Sequence, residues 1–177
     1  MICGVDEAGK GPVMGPMVVA AVSVKNAKMI ENLGFKDSKL LTPKKRKELF
    51  ELIKKNYQCA IEIIEPEKID EYRRKNKLNI LNRKSFEKVI SKLNPKIAYV
   101  DAADVNEERF GREIKNNLTN DNDTDVISMH KADSKIPVVA AASIIAKQTR
   151  EIEIEKLKEK IGDFGSGYPS DTRTIKF

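Results

Sequence analysis

The order of short apolar runs along the chain constrains the fold more than any other sequence feature. Residues 1–5 (MICGV) and 17–24 (MVVAAVSV) are separated by a turn rich in Gly and Pro, and residues 59–64 form a third run. Runs of this length that are rich in β-branched residues and bounded by turn formers predict strands. Consecutive strands favour antiparallel pairing, so we expect an antiparallel part of a sheet near the N-terminus.

The second half of the chain alternates between strands and helices. Residues 97–100 (IAYV) and 126–129 predict two more strands, and the stretches 107–118 and 138–161 that follow them have helical character. Strands separated by helices favour parallel pairing through crossover helices. The sequence therefore predicts an α/β fold with a five-stranded mixed sheet flanked by helices.

Capping and breaking residues mark the other helices. Thr42 and Pro43 are a suitable N-cap and first helical residue for a helix that reaches about residue 55. Residues 66–72 predict a short helix, and residues 78–93 have the apolar spacing of an amphipathic one. Residues 8–16 and 162–171 are rich in Gly, Pro and polar residues, which predicts loops.

Charge and length limit the class of protein. The chain has 177 residues and a net charge of +6, which suits one domain with polyanionic partners such as nucleic acid. No apolar segment approaches the ~18 residues of a membrane span, and the N-terminus has no signal-peptide core. We expect a soluble cytoplasmic protein without membrane contact.

The scarcity of histidine and cysteine excludes several kinds of catalytic site. His130 is the only histidine, and Cys3 and Cys59 are the only cysteines. No group of these residues has the spacing of zinc ligands, which argues against zinc catalysis, and the sequence also argues against a Ser–His or Cys–His catalytic triad. For His130 itself, a structural hydrogen bond and a proton-transfer role both remain open.

Acidic residues occur where the predicted sheet would bring ligands together. Asp6 and Glu7 follow the first strand, Asp101 follows the fourth, and Asp133 follows the fifth just before the long helix. Adjacent parallel strands share the edge at their carboxyl ends, where open α/β sheets bind ligands. Clustered carboxylates repel one another unless a cation such as Mg²⁺ or Mn²⁺ joins them.

Two such ions can activate a water molecule and stabilise the leaving oxygen of a phosphodiester. The alternative is that these acids are only turn formers or helix caps. The chain has 27 acidic residues, and most of them must be solvated surface charge.

Five stretches, in order, resemble the signature blocks of the ribonuclease HII family, most closely its archaeal branch. They are residues 4–12 (GVDEAGKGP), 36–42 (KDSKLLT), 99–101 (YVD), 130–133 with 140–147 (HKAD and AAASIIAK), and 165–171 (GSGYPSD). The resemblance implies an RNase H-like fold, with residues 1–177 forming a single catalytic domain. The implied activity is hydrolysis of the RNA strand of RNA–DNA hybrids, and cutting on the 5′ side of single ribonucleotides in duplex DNA. The products would carry a 3′-hydroxyl and a 5′-phosphate.

The resemblance also assigns roles to individual residues. The catalytic metal site, with two Mg²⁺ or Mn²⁺ ions during catalysis, would be formed by Asp6, Glu7, Asp101 and Asp133. The turn that meets the junction between a ribonucleotide and the next deoxyribonucleotide would be formed by Gly9, Lys10 and Gly11. Tyr168 would meet that junction from the other side, although a tyrosine packed beside a Gly-rich loop is the simpler explanation for that residue alone.

Lys39 and Lys147 are candidates for contacts with phosphates, and a solvated surface position is the alternative for each. The sequence departs from the family at Lys10, where many members have Arg and its bidentate fork. It also stops at Phe177, where family members usually continue into C-terminal helices, so we expect weaker substrate binding.

Two other functions stay open at this stage. One is a different RNase H-like nuclease, such as a resolvase or transposase core, and the other is a duplex-binding module without catalysis. We expect a monomer whose partners are RNA–DNA hybrids and ribonucleotide-containing duplex DNA. A replication clamp is a candidate partner that the sequence itself does not identify.

Overall fold

The computed structural model of the chain describes residues 1–31, 41–118 and 123–177. The strands are β1 Ile2–Ala8, β2 Met17–Val24, β3 Gln58–Ile64, β4 Ile97–Asp101 and β5 Asp125–Met129. The helices are α1 Lys28–Glu31, α2 Pro43–Asn56, α3 Pro66–Arg74, α4 Leu78–Leu93, α5 Glu107–Asn117, α6 Ala132–Lys135, α7 Pro137–Ile161 and α8 Thr172–Lys176.

The strands form one mixed sheet in the order β3-β2-β1-β4-β5. The first three strands pair antiparallel, and β1 pairs parallel with β4, which pairs parallel with β5. Both pairing modes were predicted from the spacing of the strands along the chain, so the predicted α/β class and the five-stranded mixed sheet are confirmed. The carboxyl ends of β1, β4 and β5 therefore meet at one edge.

Strand β1 is longer than the apolar run predicts. Its parallel pairing with β4 stops at Val5 and Val100, but its antiparallel pairing with β2 continues through Asp6, Glu7 and Ala8. Pairing with apolar residues of β2 keeps these three residues in extended conformation, which the local sequence does not reveal. Asp6 therefore lies just beyond the parallel pairing while still inside a strand.

Three short helices, α1, α6 and α8, were not predicted. Each has only four or five residues, which is too short for a helical repeat of apolar side chains to be recognised. Helix α6 matters most for the site because it contains Asp133.

Two apolar cores cover the two faces of the sheet. On one face, α2 and α7 pack against alternate residues of β2, including Val18 and Val22. On the other face, α3, α4 and α5 pack against the intervening residues, including Val19 and Ala21. Within the described ranges, no helix combines the length and apolar character needed to cross a membrane.

Helix α7 approaches β1 at Gly4 more closely than any side chain would permit. A Cβ atom on Gly4 would lie 2.3 Å from the backbone of Val138 and 2.4 Å from that of Val139. Both partners are backbone in the first turn of α7, so no side-chain rotation can relieve such a clash. Gly4 therefore sets the distance between the helix and the central strand.

Replacing Gly4 by Ala tests this packing. We expect Gly4→Ala to destabilise the fold by about 2–3 kcal/mol because strand and helix must separate. For a chain of this size, that corresponds to a Tm decrease of roughly 5–10 °C by differential scanning calorimetry. The control is Gly11→Ala, since a Cβ there would have open space, and its Tm should stay near that of the unmodified protein. Equal Tm values for both variants would contradict the argument.

Candidate metal centre and nucleic-acid interface

Three of the four predicted acids converge at the carboxyl edge of the sheet. Asp6 of β1, Asp101 at the end of β4 and Asp133 of α6 each offer a carboxylate oxygen, and these oxygens lie within 4.8 Å of one another. Asp6 and Asp133 are buried, and Asp101 is half-buried. Asp6 and Asp101 are 95 residues apart in the sequence and Asp101 and Asp133 are 32 apart, and the parallel order of β1, β4 and β5 brings them together.

Local hydrogen bonds hold this three-acid cluster in place. The backbone amide of Ala132 donates to Oδ1 of Asp101 over 3.0 Å, which ties β4 to the start of α6. Lys131, with φ +57°, reverses the chain between β5 and α6 and so directs Asp133 toward the other acids. The backbone amide of Glu7 donates to Oδ1 of Asp6 over 2.7 Å.

The environment of Asp6 opposes its negative charge. Burial raises the pKa of Asp6 well above its usual range, and the neighbouring carboxylates of Glu7 and Asp101 raise it further. A hydrogen bond from the Ser143 hydroxyl of α7 acts in the opposite direction. The cluster is therefore a place where positive charge would be strongly favoured.

Glu7 is not one of the three acids whose oxygens lie within 4.8 Å of one another, but it is close enough to interact electrostatically with Asp6 and Asp101. Side chains alternate along a strand, so Glu7 points to the face opposite Asp6, where α4 covers the sheet. Burial raises the pKa of Glu7 to about 7, while the Lys10 ammonium lowers it and Asp101 raises it. The amide of Asn82, fully buried on α4, also lowers this pKa.

Lys10 points back toward the protein rather than away from it. Its ammonium group donates a hydrogen bond to the carbonyl oxygen of Ala103, just after β4. The charge therefore lies beside Glu7 and near the end of β4. Between Gly9 and Gly11, Lys10 thus joins the predicted turn to the acidic edge of the sheet.

The two glycines of the predicted turn differ in their surroundings. Gly9 has φ +91°, and a Cβ there would lie 2.5 Å from the carbonyl oxygen of Pro16 and 2.6 Å from Nε of Arg150. Gly11 is exposed, and a Cβ there would meet nothing within 4 Å. Gly9 is required by the fold of the loop, whereas Gly11 leaves open backbone that a ligand could approach.

The loop between β1 and β2, residues 9–16, is the first glycine loop, and a second glycine loop, residues 165–168, lies against it. The backbone amide of Val13 donates to the carbonyl oxygen of Gly167 over 2.8 Å. Tyr168, the next residue, keeps 40% of its surface exposed. The structure thus brings the loop that holds Gly9, Lys10 and Gly11 next to the loop that carries Tyr168.

Helix α8 supports the Tyr168 loop from behind. The backbone amide of Gly167 donates to the Thr174 hydroxyl over 3.0 Å, and that hydroxyl donates to the carbonyl oxygen of Phe164 over 2.8 Å. Asp171 accepts from the amides of Ser166 and Arg173, and these bonds lower the pKa of Asp171 to about 2.

A basic cavity of about 440 Å³ lies between α2, α7 and the Tyr168 loop. Its lining includes Ala8, the residue after Glu7, together with Tyr168 and Lys147. Further positive charge on its walls comes from Arg46, Arg150, Lys158 and Arg173, against the acids Glu151 and Glu155. The cavity therefore presents an excess of positive charge next to the acidic edge of the sheet.

Lys39 and His130 are the remaining candidates. Lys39 lies outside the described residues. His130 is in the turn after β5 with an exposed side chain, and its backbone amide donates to Glu107 over 2.6 Å.

Three residues that were not predicted from the sequence contact the candidate residues from the flanking helices: Ser143, Asn82 and Arg150. All three are buried polar residues within helices. Ser143 stands inside one of the matched blocks among small apolar residues, which was a usable signal. For Asn82 and Arg150 the local sequence offers none, because helix faces become distinguishable only once the packing is known.

Comparison with known proteins gives a consistent result. A family model described as ribonuclease HII matches residues 3–177. The chain is 50% identical to the ribonuclease HII of Methanoregula boonei, covering 100% of this chain and 82% of that protein. It matches the ribonuclease HII in the PCNA:RNase HII complex from Archaeoglobus fulgidus with a TM-score of 0.93 and 48% identity, covering 99% of this chain and 85% of that one.

A more distant match is Bst-RNase HIII, solved in complex with Mn²⁺. It is 26% identical, with a TM-score of 0.75 over 93% of this chain and 58% of that one. These similarities extend over the whole mixed sheet and its helices, and they identify the fold as RNase H-like. Because the family model and close relatives cover nearly the entire sequence, the chain belongs to the ribonuclease HII family of ribonuclease H enzymes.

Proposed function

We propose that this chain is a metal-dependent endonuclease that cuts RNA within RNA–DNA duplexes and also cuts beside single ribonucleotides in duplex DNA. The observation that carries the proposal is the position of the three-acid cluster beside a basic cavity and two glycine loops. Acids supply a site for cations, and the basic cavity supplies a surface for phosphates. Such a combination suits hydrolysis of a phosphodiester rather than binding alone.

The cluster has the chemistry of a site for hard divalent cations. Its ligands are all carboxylate oxygens, which Mg²⁺ and Mn²⁺ prefer. Burial of Asp6 among other acids would be costly without a compensating cation. We propose that Asp6, Asp101 and Asp133 hold two such ions together with Glu7, and the bound ions would supply activation of water and stabilisation of the leaving oxygen.

The chain's own residues prepare this site. The Ser143 hydroxyl and the Glu7 amide orient Asp6, and the Ala132 amide orients Asp101, so the carboxylates need little rearrangement when substrate binds. Lys147 and its basic neighbours would contact phosphates along the duplex. Lys39, by the family resemblance, would do the same.

The two glycine loops would read the sugar. Exposed backbone at Gly11, with Gly9 and Lys10 holding the turn, can approach the minor groove without interference from a Cβ atom. The half-exposed Tyr168 can donate a hydrogen bond to a sugar hydroxyl and place its ring on a neighbouring deoxyribose. The 2′-hydroxyl is the group that distinguishes RNA from DNA.

We also propose that residues 1–177 act as one catalytic domain and as a monomer. A clamp of the PCNA kind is the partner in the Archaeoglobus fulgidus complex, and we extend that class of partner to this chain on the basis of 48% identity. Co-elution with the clamp in size-exclusion chromatography tests this extension, and separate elution would overturn it.

Replacing Asp101 by Asn tests the cation site. The change keeps the shape of the side chain but removes one of three neighbouring charges, so turnover of an RNA–DNA hybrid should fall at least about a hundredfold, or about 2.7 kcal/mol in the barrier. Thermal shift supplies a second measurement without turnover. Mg²⁺ should raise the Tm of the unmodified protein clearly more than that of Asp101→Asn.

The matched control is Asp125→Asn. Asp125 begins β5, at the end of the strand away from the acid cluster, and its exposed carboxylate pairs with Lys115. Its turnover and its response to Mg²⁺ should match those of the unmodified protein. Near-normal cleavage by Asp101→Asn would refute the assignment of this residue to the cation site.

The salt dependence of binding tests the basic cavity. In EDTA, which prevents cleavage, log affinity for a hybrid should fall roughly linearly with log salt, as phosphate contacts release counterions. Lys147→Ala should reduce the slope by about 1, whereas Lys160→Ala, farther along α7, should not change it. Fluorescence anisotropy measures both slopes, and an affinity independent of salt would contradict a phosphate-binding surface.

Cleavage of a duplex with one embedded ribonucleotide tests the proposed sugar recognition. Water attacks phosphorus and the 3′ oxygen of the preceding nucleotide leaves, so the cut falls on the 5′ side with a 3′-hydroxyl and a 5′-phosphate. The lone 2′-hydroxyl neighbours the phosphate on its other side, so no cyclic phosphate should form. Tyr168→Ala should lower cleavage more on this duplex than on a continuous hybrid, where many registers are available.

Mapping the product ends on three duplexes completes this test: a single embedded ribonucleotide, a full hybrid and plain DNA. A 2′,3′-cyclic phosphate, or cutting of hybrids without cutting at the single ribonucleotide, would overturn the assignment of the two glycine loops to sugar recognition. Cleavage of plain DNA at the same rate would instead favour a resolvase-like nuclease.

A further inference from the structure

Arg150 is a charged residue in the buried half of α7. Only 8% of its surface is exposed, and burial lowers the pKa of its guanidinium. Within the described ranges it forms no salt bridge with a carboxylate. Burial of an arginine in this way is costly unless its donors are satisfied by other groups.

The donors of Arg150 are used on the first glycine loop. Its Nε donates to the carbonyl oxygen of Pro16 over 3.2 Å, and its Nη2 donates to that of Met14 over 3.1 Å. Both carbonyls lie at the end of the loop that begins at Gly9. A Cβ on Gly9 would lie 2.6 Å from Nε, so the loop also touches the guanidinium at its start.

The same guanidinium contacts the second glycine loop. Its central carbon lies 5.3 Å from the centre of the Tyr168 ring, within the range of a cation–π interaction. A Cβ on Gly167 would lie 3.4 Å from Nη2. Arg150 therefore lies between the backbone that would approach the ribose and the tyrosine that would meet it from the other side.

We propose that Arg150 is a positioning residue that fixes the two glycine loops relative to each other and thereby sets the preference for a single embedded ribonucleotide. The inference rests on the proposed function. The planar fork of arginine can bond two carbonyls while its face lies against a ring, whereas lysine has one nitrogen and no planar face. A continuous hybrid presents many 2′-hydroxyls in many registers, so it should tolerate misplaced loops better than a lone ribonucleotide does.

The test compares kcat/KM on the single-ribonucleotide duplex with kcat/KM on a full hybrid. Arg150→Met should lower the ratio of the two values about tenfold. Arg150→Lys should lower it about threefold, because one carbonyl contact is kept, and it decides the question if Arg150→Met does not fold. The matched control is Arg83→Met, which removes a half-buried arginine that bonds Glu87 and Glu113 between α4 and α5 and should leave the ratio unchanged.

A double-mutant cycle with Tyr168→Leu separates positioning from general stability. If Arg150 acts through Tyr168, Arg150→Met combined with Tyr168→Leu should lower the ratio by clearly less than the product of the two single effects. If the double variant lowers the ratio by the full product of the two single effects, Arg150 does not act through Tyr168. An equal loss on both substrates, with an unchanged ratio, would reduce Arg150 to a structural residue and overturn the inference.

These outcomes differ from a failure of the proposed function. An unmodified protein that cuts hybrids but not the single-ribonucleotide duplex would overturn the proposed sugar recognition, and this inference with it. If the unmodified protein cuts both substrates and Arg150→Met has the same ratio of kcat/KM values as the unmodified protein, only this inference is overturned.

Discussion

The close packing of α7 on β1 is the contact on which the rest of the site depends. Gly4 lets the first turn of α7 lie directly on the strand backbone, and this fixes how the helix runs along it. Five residues of helix advance about 7.5 Å and two residues of strand about 6.6 Å. A helix anchored beside Gly4 at residue 138 therefore brings Ser143 beside Asp6. Further along, the same helix brings Arg150 to the glycine loops.

Electrostatics divides the site into two regions with opposite requirements. The acidic edge is unfavourable by itself, since Asp6 is buried among like charges that raise its pKa. The cavity next to it has the reverse excess, with five basic residues against two acids on its walls. Binding of a polyanion together with cations would offset both the repulsion among the acids and the excess positive charge of the cavity.

The amount that could be predicted from the sequence follows the range of the interactions involved. The pairing directions follow from local patterns, and the convergence of Asp6 with Asp101 follows from the geometry of parallel strands if β1 and β4 are neighbours. The strand order β3-β2-β1-β4-β5 was not predicted. The extension of β1 through Glu7, and hence its position on the opposite face, depends on pairing with β2. Arg150 was not predicted because its partners are backbone carbonyls about 135 residues away, and every residue has a carbonyl, so the sequence does not indicate which ones it bonds.

The support of the Tyr168 loop by α8 makes part of the site thermodynamically separable from the rest. The bonds from Thr174 and Asp171 join a five-residue helix to residues 164–167, whereas the acids sit on the central strands and their adjoining helix. Short peripheral helices open at lower free energy than core strands. Fraying of this one turn would release the tyrosine while the acidic edge stayed folded. If Tyr168 recognises the sugar as proposed, discrimination between RNA and DNA would be lost at a lower temperature than hydrolysis itself.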